Sequence, residues 1–220
     1  MTGVTFQINN KDNIEIVNDT DPMMNVVYSG NQSNLSIQRT WPAWPEPPTV
    51  FIRPAAESWC GGFTIYQRRN NQLLVYCKGN FDWVMCCSPT SWNPGGVRTF
   101  GLETFKGDGS LLFSTNNRFA RITTIVPIPG PVVNNSGSII QGVAPLAGWQ
   151  QMPWINVSQA TLTRAIVAGG GDLSYQESYL IKVNAARTEL RMTIGDTINP
   201  SANQLQGKTA YFPMGFIAGN

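Results

Sequence analysis

The chain has 220 residues, of which 42% are hydrophobic and only 13% are charged, and its formal net charge is +2 at pH 7. An average globular domain has about 25% charged residues, so charge is scarce here. A net charge this small argues against nucleic acid or an anionic membrane as a partner. No stretch approaches the roughly 18 consecutive apolar residues of a membrane span, so we expect no membrane insertion.

Histidine is absent from the sequence, which excludes most familiar catalytic sites. Ser-His-Asp triads, Cys-His pairs and histidine proton shuttles all need an imidazole. The acidic residues are scattered singly, and the glycine-rich run "AGGGD" (168–172) lacks the Lys-Ser or Lys-Thr of a phosphate-binding loop. We therefore expect no enzyme, no catalytic residues, no metal site and no cofactor.

Short β-prone runs follow one another along the whole chain. In chain order they are "GVTFQI", "NIEIV", "NVVY", "TVFIR", "GFTIY", "LLVYC", "DWVMCC", "FGLETF", "LLFS", "ARITTIV", "GSIIQGV", "TRAIVA", "YLIKV", "ELRMTI" and "AYFPMGF". The segments between them are rich in Asn, Ser, Thr and Gln, which favour turns over helix interiors. The pattern predicts an all-β fold, an antiparallel β-sandwich with a second, smaller β region toward the C-terminus.

Composition changes most clearly at "PIPGPVVNNSGS" (127–138), where three prolines precede an Asn/Ser/Gly run. Because proline cannot donate a hydrogen bond to a strand ladder, we expect a linker here. The predicted organisation is a β-sandwich domain over 1–126, a linker over 127–138 and a second β-rich region over 139–220. The single helical candidate is "NVSQATLTRA" (156–165), in which Ser158 is a candidate cap.

Four cysteines, Cys60, Cys77, Cys86 and Cys87, match no zinc or redox spacing. The run "WVMCC" reads as a strand that is buried on both faces, where a thiol behaves as a small hydrophobe. The start of the chain, "MTGVTFQINN", lacks the basic and then apolar regions of a secretory signal. Since that pattern indicates synthesis in a cytoplasm, we expect four reduced thiols and no disulfide.

A segment rich in tryptophan and proline, "TWPAWPEPPTVFIRP" (40–54), carries Trp41 and Trp44. Its prolines predict a stiff, extended strand-like strap whose tryptophans cover one face of the sandwich. The alternative is that Trp41 and Trp44 form a binding platform for sugar rings or for a partner protein. Trp149 and Trp154 allow the same two interpretations. Arg53 and Arg118 are candidate partners for acidic groups, although no run of positive charge surrounds them.

The segment "FGLETFKGDGSLLFST" (100–115) predicts a β-hairpin, because Gly107, Asp108 and Gly109 supply the turn between two β-prone runs. An isolated two-stranded hairpin is marginal in water, so we expect this one to sit inside a larger sheet, with Phe113 buried.

The same hairpin resembles a pattern that recurs in small tail-associated proteins of tailed bacteriophages. The matching residues are Phe100, Gly101, Leu102, Thr104, Gly109, Leu111, Leu112, Phe113 and Ser114. The upstream "TVFIRP" (49–54) is similar to the segment that precedes the hairpin in those proteins. The resemblance extends roughly over 3–125, and it implies a virion structural protein with a β-sandwich domain and no catalytic residues.

Together these observations predict a structural virion protein, in the tail tip, at a fibre attachment or in a decorating layer, assembled in the host cytoplasm. It would act through protein-protein interfaces with other virion proteins and with copies of itself. Because many candidate strands have few charged residues to protect their edges, we expect a trimer or a ring. The alternative function is a carbohydrate- or receptor-binding module that recognises a host surface glycan, a role in host attachment.

Overall fold

The computed structural model describes residues 7–9, 15–18, 24–40, 48–67, 72–87, 103–105, 111–114, 118–158, 163–167, 173–195 and 207–218. Seventeen strands lie in these ranges. They are β1 (Gln7–Asn9), β2 (Glu15–Asn18), β3 (Met24–Thr40), β4 (Thr49–Pro54), β5 (Gly61–Gln67), β6 (Gln72–Cys87), β7 (Glu103–Phe105), β8 (Leu111–Ser114), β9 (Phe119–Pro129), β10 (Val132–Val133), β11 (Ile139–Ile140), β12 (Gly142–Pro145), β13 (Trp154–Asn156), β14 (Thr163–Val167), β15 (Leu173–Val183), β16 (Glu189–Ile194) and β17 (Thr209–Ala218).

The predicted all-β class is confirmed: the described residues contain strands in antiparallel sheets and no helix. The expected helical turn at 156–165 is wrong where the structure describes it. Asn156 ends β13 and Thr163 begins β14, and the Ser158 hydroxyl accepts a hydrogen bond from the Val50 amide at 2.8 Å. Ser158 therefore links the end of β13 to β4 in the described residues.

The largest sheet has seven strands in the order β3-β9-β17-β13-β4-β6-β5, and β3 also pairs with β6. This additional pairing closes six of the strands, all but β5, into a ring in which every neighbour is antiparallel. Two residue pairs, Met24 with Ala120 and Asn25 with Phe119, join β3 to β9 at the closing point. We call this arrangement the closed ring.

Apolar residues fill both faces of the closed ring. Phe51, Val84, Cys86, Ala120 and Trp154 form the inner cluster, with Met24, Val26, Ile122 and Ile217 packed against it. The outer face is covered by the second large sheet, of order β12-β16-β15-β14. Residues from both sheets form one continuous outer cluster, so the two layers share a core as a sandwich does.

The expectation that the prolines of 127–138 end strand pairing is wrong for Pro127 and Pro129, which lie in β9. Pairs in an antiparallel ladder alternate between those that exchange hydrogen bonds and those that do not. Pro127 pairs with Tyr211, Pro129 with Thr209, and Pro213 of β17 with Ile125, so all three prolines fall on one alternating set. In that set the backbone nitrogen points away from the partner strand, so a proline there removes no hydrogen bond from the ladder.

Strands from both sides of 127–138 meet in one sheet. β13 and β17, which follow this segment, pair with β4 and β9, which precede it. The outer cluster likewise joins residues of both halves, among them Ile52 and Phe212. The described residues thus place parts of the two expected domains in one shared sheet and core.

The hairpin at 100–115 also differs from the expectation. β7 and β8 pair with each other, Glu103 with Ser114 and Thr104 with Phe113, and among the described strands they pair with no third strand. Phe105 is 50% exposed. The larger sheet that we expected around this hairpin is therefore not seen among the described strands. The Phe113 side chain lies outside the described residues.

A short junction over 57–61 holds the two large sheets together at one end. Cys60 and Ile181 exchange backbone hydrogen bonds at 2.8 and 2.6 Å. Next to them, Lys182 Nζ lies 2.9 Å from Glu57 Oε2 and 5.1 Å from the centroid of the Trp59 ring. The Glu57 carboxylate also accepts a hydrogen bond from the Ala185 amide at 2.9 Å. These contacts lower the pKa of Glu57 below its ordinary value of 4.5, the Lys182 hydrogen bond most.

Candidate functional site

The tryptophans named from the sequence have different positions. Trp41 and Trp44, the predicted binding platform, lie outside the described residues. Trp154 is buried in the inner cluster, and Trp149 is partly buried against the outer cluster. For Trp154 the packing interpretation therefore holds, whereas Trp149 also lines the groove described below.

An exposed apolar surface runs along β9 and β17 beyond the closed ring. We call residues 125–129 of β9 and 209–213 of β17 the ribbon. One face of the ribbon carries Val126, Ile128, Ala210 and Phe212, which are buried in the outer cluster. The opposite face carries the apolar strip, which we define as Ile125, Pro127, Pro129 and Tyr211. All four are exposed, Ile125 by 58% and Tyr211 by 62%.

A groove of about 620 Å³ adjoins the apolar strip. Its walls are 123–127 of β9, the segment 144–149 and Phe216, so Ile125 belongs to both the strip and the groove. None of the groove residues is charged. Strip and groove therefore form one surface without ionic groups, which suits an apolar protein partner better than a charged ligand.

A second cavity, of about 530 Å³, lies where the closed ring opens. We call it the Arg53 cavity. Its lining residues are Asn31, Arg53, Pro54, Ala55, Ala56, Asn80, Phe81, Asp82 and Met152. Strand register explains why three polar lining residues lie together. Asn31 of β3 pairs with Asp82 of β6, and Asp82 pairs with Arg53 of β4. Three adjacent strands thus place an amide, a carboxylate and a guanidinium in one row.

The Arg53 guanidinium is held from two sides. Its Nε and Nη2 atoms both donate to Asp82 Oδ2, at 3.0 and 2.6 Å, and its Cζ atom lies 4.9 Å from the centroid of the Trp154 ring. Both side chains of the ion pair remain partly exposed, at 38% and 39%. Arg53 and Asp82 thus form a side-on ion pair on the cavity wall, with Nε and Nη2 on the side of the guanidinium that faces the carboxylate.

The thiols offer no reactive site among the described residues. Cys60, Cys86 and Cys87 are buried and are not joined by a disulfide, which confirms the prediction for these three. The Cys77 side chain lies outside the described residues. Burial raises the pKa of the Cys60 thiol to about 11 and raises the pKa of Cys86 further. Both thiols are therefore protonated, and poor nucleophiles, at neutral pH.

Two searches of the described residues give negative results. No group of three or more Cys, Asp or Glu side chains is arranged to hold a metal ion within the ranges given above. Of the described segments, none forms a helix long and apolar enough to cross a membrane.

Sequence reasoning missed most of the residues that form these surfaces. Asp82 is one of the singly scattered acidic residues, and its contact with Arg53 depends on the register between β4 and β6, which a single sequence does not fix. Arg53 was named, but without its partner. One feature of the sequence indicates the strip, namely the alternation of apolar residues and prolines in "IVPIP" (125–129). From the sequence alone, the prolines of this stretch predict a break in strand pairing.

Comparison of the chain with protein-family models, with curated protein sequences and with solved structures finds no match.

Proposed function

We propose that this chain is a structural protein of the tailed-bacteriophage particle that works through protein-protein interfaces, with a second copy of itself as the first partner. The phage assignment rests on the sequence pattern of 100–115. The structural observation that carries the interface is the apolar strip, with Ile125 and Tyr211 more than half exposed on a ribbon whose other face is core.

Charge and geometry both favour a copy of the chain as the partner. The strip has no ionic side chain, so strips from three or more copies can meet around a symmetry axis without repulsion between like charges. The aromatic ring of Tyr211 offers a large contact area with a polar tip, as is usual at interfaces. Beyond Ile122, no described strand other than β17 pairs with β9. Pro127 and Pro129 have no backbone N–H to donate at this unpaired edge of β9. We therefore expect a partner to contact the side chains on the face of the ribbon.

The interface is tested by sedimentation velocity over a concentration series. Wild type should associate into a trimer or a ring, and Ile125→Asp combined with Tyr211→Asp should shift the population to monomer. Asn135→Asp combined with Ala186→Asp is the matched control, because it adds the same charge at two exposed turn positions away from the strip. A wild-type protein that stays monomeric at high concentration, or a double variant that associates as well as the control, would overturn self-association through the strip.

The particle assignment has a separate test. Particles purified from a lysate that produces this protein should contain its peptides by mass spectrometry at a stoichiometry fixed from preparation to preparation. If the protein stays wholly in the particle-free fraction, the virion proposal is wrong even where the interface test succeeds.

A further inference from the structure

The groove and Tyr211 lie on different strands of the ribbon. The groove includes residues 125–127 of β9, whereas Tyr211 belongs to β17 and is not one of the lining residues. A Cβ atom at Gly142, where β12 begins, would overlap the Pro129 carbonyl oxygen, so the chain that leads into the second wall of the groove packs against β9 as well. Each copy of the chain therefore presents a recess beside β9 and a projecting aromatic side chain on β17.

A ring of three or more copies needs two such unlike surfaces. The interface in a closed ring is heterologous, which means that one patch of each copy meets a different patch of the next copy. The groove is a recessed patch and Tyr211, 62% exposed, is a projecting one. Ile125 belongs to both the strip and the groove, so the two surfaces are continuous. This reasoning rests on the self-association proposed above and specifies how the copies meet.

The groove suits a phenol ring in size and in chemistry. Its volume of about 620 Å³ lies within the range of about 300 to 1,000 Å³ that is usual for concave binding sites. Trp149 and Phe216 are partly exposed and offer aromatic surface, and an edge-on contact with Phe119, with ring centroids 6.4 Å apart, holds the Phe216 ring. Thr123 and Thr124 are exposed, so their hydroxyls can bond the phenol oxygen.

The other exposed apolar residues of the described chain fit the groove less well. Phe105 is 50% exposed but has no hydroxyl, and Tyr28 is exposed by only 37%. The remaining ones outside the strip are aliphatic and lack a polar tip, namely Ile139, Ile140 and Val143. From these observations we infer that Tyr211 of one copy inserts into the groove of the next copy, and that repetition of this contact closes the ring.

Photo-crosslinking identifies what occupies the groove. Replacing Tyr211 by p-azidophenylalanine keeps an aromatic ring at this position and makes it photoreactive. Irradiation of the oligomer should join position 211 to residues 144–149, and a mixture of isotope-labelled and unlabelled protein should show that the joined peptides come from different copies. The same reagent in place of Phe105 is the matched control and should not reach 144–149. Crosslinks within one copy, crosslinks elsewhere only, or equal crosslinking from position 105 would overturn the docking.

A mixing experiment tests whether the contact is heterologous. Tyr211→Asp removes the projecting ring, and Ala147→Asp places a charge at an exposed position of the groove. Each variant alone should associate about tenfold or more weakly than wild type, as expected for loss of an interface anchor, and Ala186→Asp is the matched control. An equimolar mixture should form dimers and nothing larger in sedimentation velocity, because Tyr211 of the groove variant can still enter the intact groove of the other.

The outcomes separate this inference from the proposed interface. If wild type associates and folded Ala147→Asp associates equally well, the docking is wrong while self-association through the strip stands. The same conclusion follows if the two variants form no dimer when mixed. A wild-type chain that stays monomeric would overturn both proposals. Thermal unfolding of each variant near the wild-type temperature shows that a lost contact is not a loss of the fold.

Discussion

The closed ring and the ribbon belong to the same sheet but differ in how their apolar residues are covered. In the ring, alternate residues of one strand enter two separate cores: Val84 and Cys86 of β6 face inward, while Trp83 and Met85 face the second sheet. In the ribbon, Phe212 is fully buried, whereas its neighbour Tyr211 is 62% exposed. Both parts have apolar side chains on both faces, so hydrophobicity alone does not decide which residues are buried.

The ring and the ribbon differ in whether strands enclose both faces of the sheet. A bulge between Met214 and Gly215 shifts the register of β17 against β9 just where the ribbon meets the ring. On the ring side of the bulge, the inward face meets strands from across the ring. On the ribbon side the same two strands diverge from the ring, and their second face has no described strand opposite it. An apolar face that the described strands leave open is the expected place for a second molecule.

Alanine substitutions of the adjacent ribbon residues Phe212 and Tyr211 should give the largest difference in the free energy of unfolding. Phe212→Ala should lower the free energy of unfolding by about 3 to 5 kcal/mol, because it removes a fully buried aromatic ring. Tyr211→Ala should change it by less than about 1 kcal/mol in the monomer. Urea denaturation at low protein concentration measures both. Equal losses would mean that the two faces of the ribbon are equally buried.

Thiol labelling compares the buried cysteines with the exposed ribbon. At pH 8 the thiolate fraction of Cys60, with a pKa of about 11, should be about a hundredfold below that of an ordinary cysteine, and burial blocks access as well. Native protein should therefore resist iodoacetamide, whereas Thr209→Cys, exposed on the ribbon, should gain one label quickly. In denaturant without reductant, mass spectrometry should show all four native cysteines labelled. Two or fewer labels would reveal a disulfide.

Adding a methyl group at Gly215, next to the bulge, should destabilise the boundary between the ring and the ribbon. A Cβ atom at Gly215 would overlap the carbonyl oxygen of Arg121 on the paired strand. Gly215→Ala is expected to destabilise by about 1 to 3 kcal/mol, the usual cost of forcing backbone apart. Thr209→Ala on the same strand is the control and should stay within about 0.5 kcal/mol of wild type. A neutral result for Gly215→Ala would show that the bulge yields easily.

The smallest effect concerns the junction between the sheets and depends on pH. Because the pKa of Glu57 is lowered in the folded chain, its contribution to stability is present above pH 4.5 and is lost as the pH falls through the folded value. Glu57→Gln should therefore unfold at a lower temperature than wild type at pH 7, and the two should converge as the pH falls below the folded pKa of Glu57. Lys182→Met should reduce the same pH dependence, because the Ala185 amide still lowers the pKa of Glu57. A difference that stays constant with pH would assign the loss to packing.

The sequence was sufficient for the class of the fold, because β-prone runs and turn residues are local signals. It was less informative about how the runs join. The sequence pattern gives "LLVYC" and "DWVMCC" as two separate runs, with "KGN" (78–80) between them, but they form the single strand β6. Gly79 has a φ of 92° there, and a Cβ atom at this position would overlap the Trp59 carbonyl oxygen. That close approach is a tertiary contact, which no local pattern contains.

The candidate surfaces depend even more on long-range geometry. Arg53 and Asp82 are 29 positions apart, and they meet only because β4 and β6 pair in one register. Tyr211 is exposed and Phe212 is buried for a similar reason, since a one-residue shift of β17 against β9 would exchange them. The sequence predicts that such residues lie in strands, whereas the pairing determines which of them share a surface.

Closure of the ring also constrains how the chain acquires its structure. β17 (Thr209–Ala218) lies between β9 and β13, so the ring lacks one member until residues 209–218 have been synthesised. Strands β4 and β13 are also far apart in sequence, and pairings of this kind are slow because a long loop must be closed first. Folding of this region on the ribosome is therefore expected to wait for the distal strands. A fragment ending at residue 126 should remain incompletely folded, with the apolar residues of β4, β6 and β9 exposed to solvent.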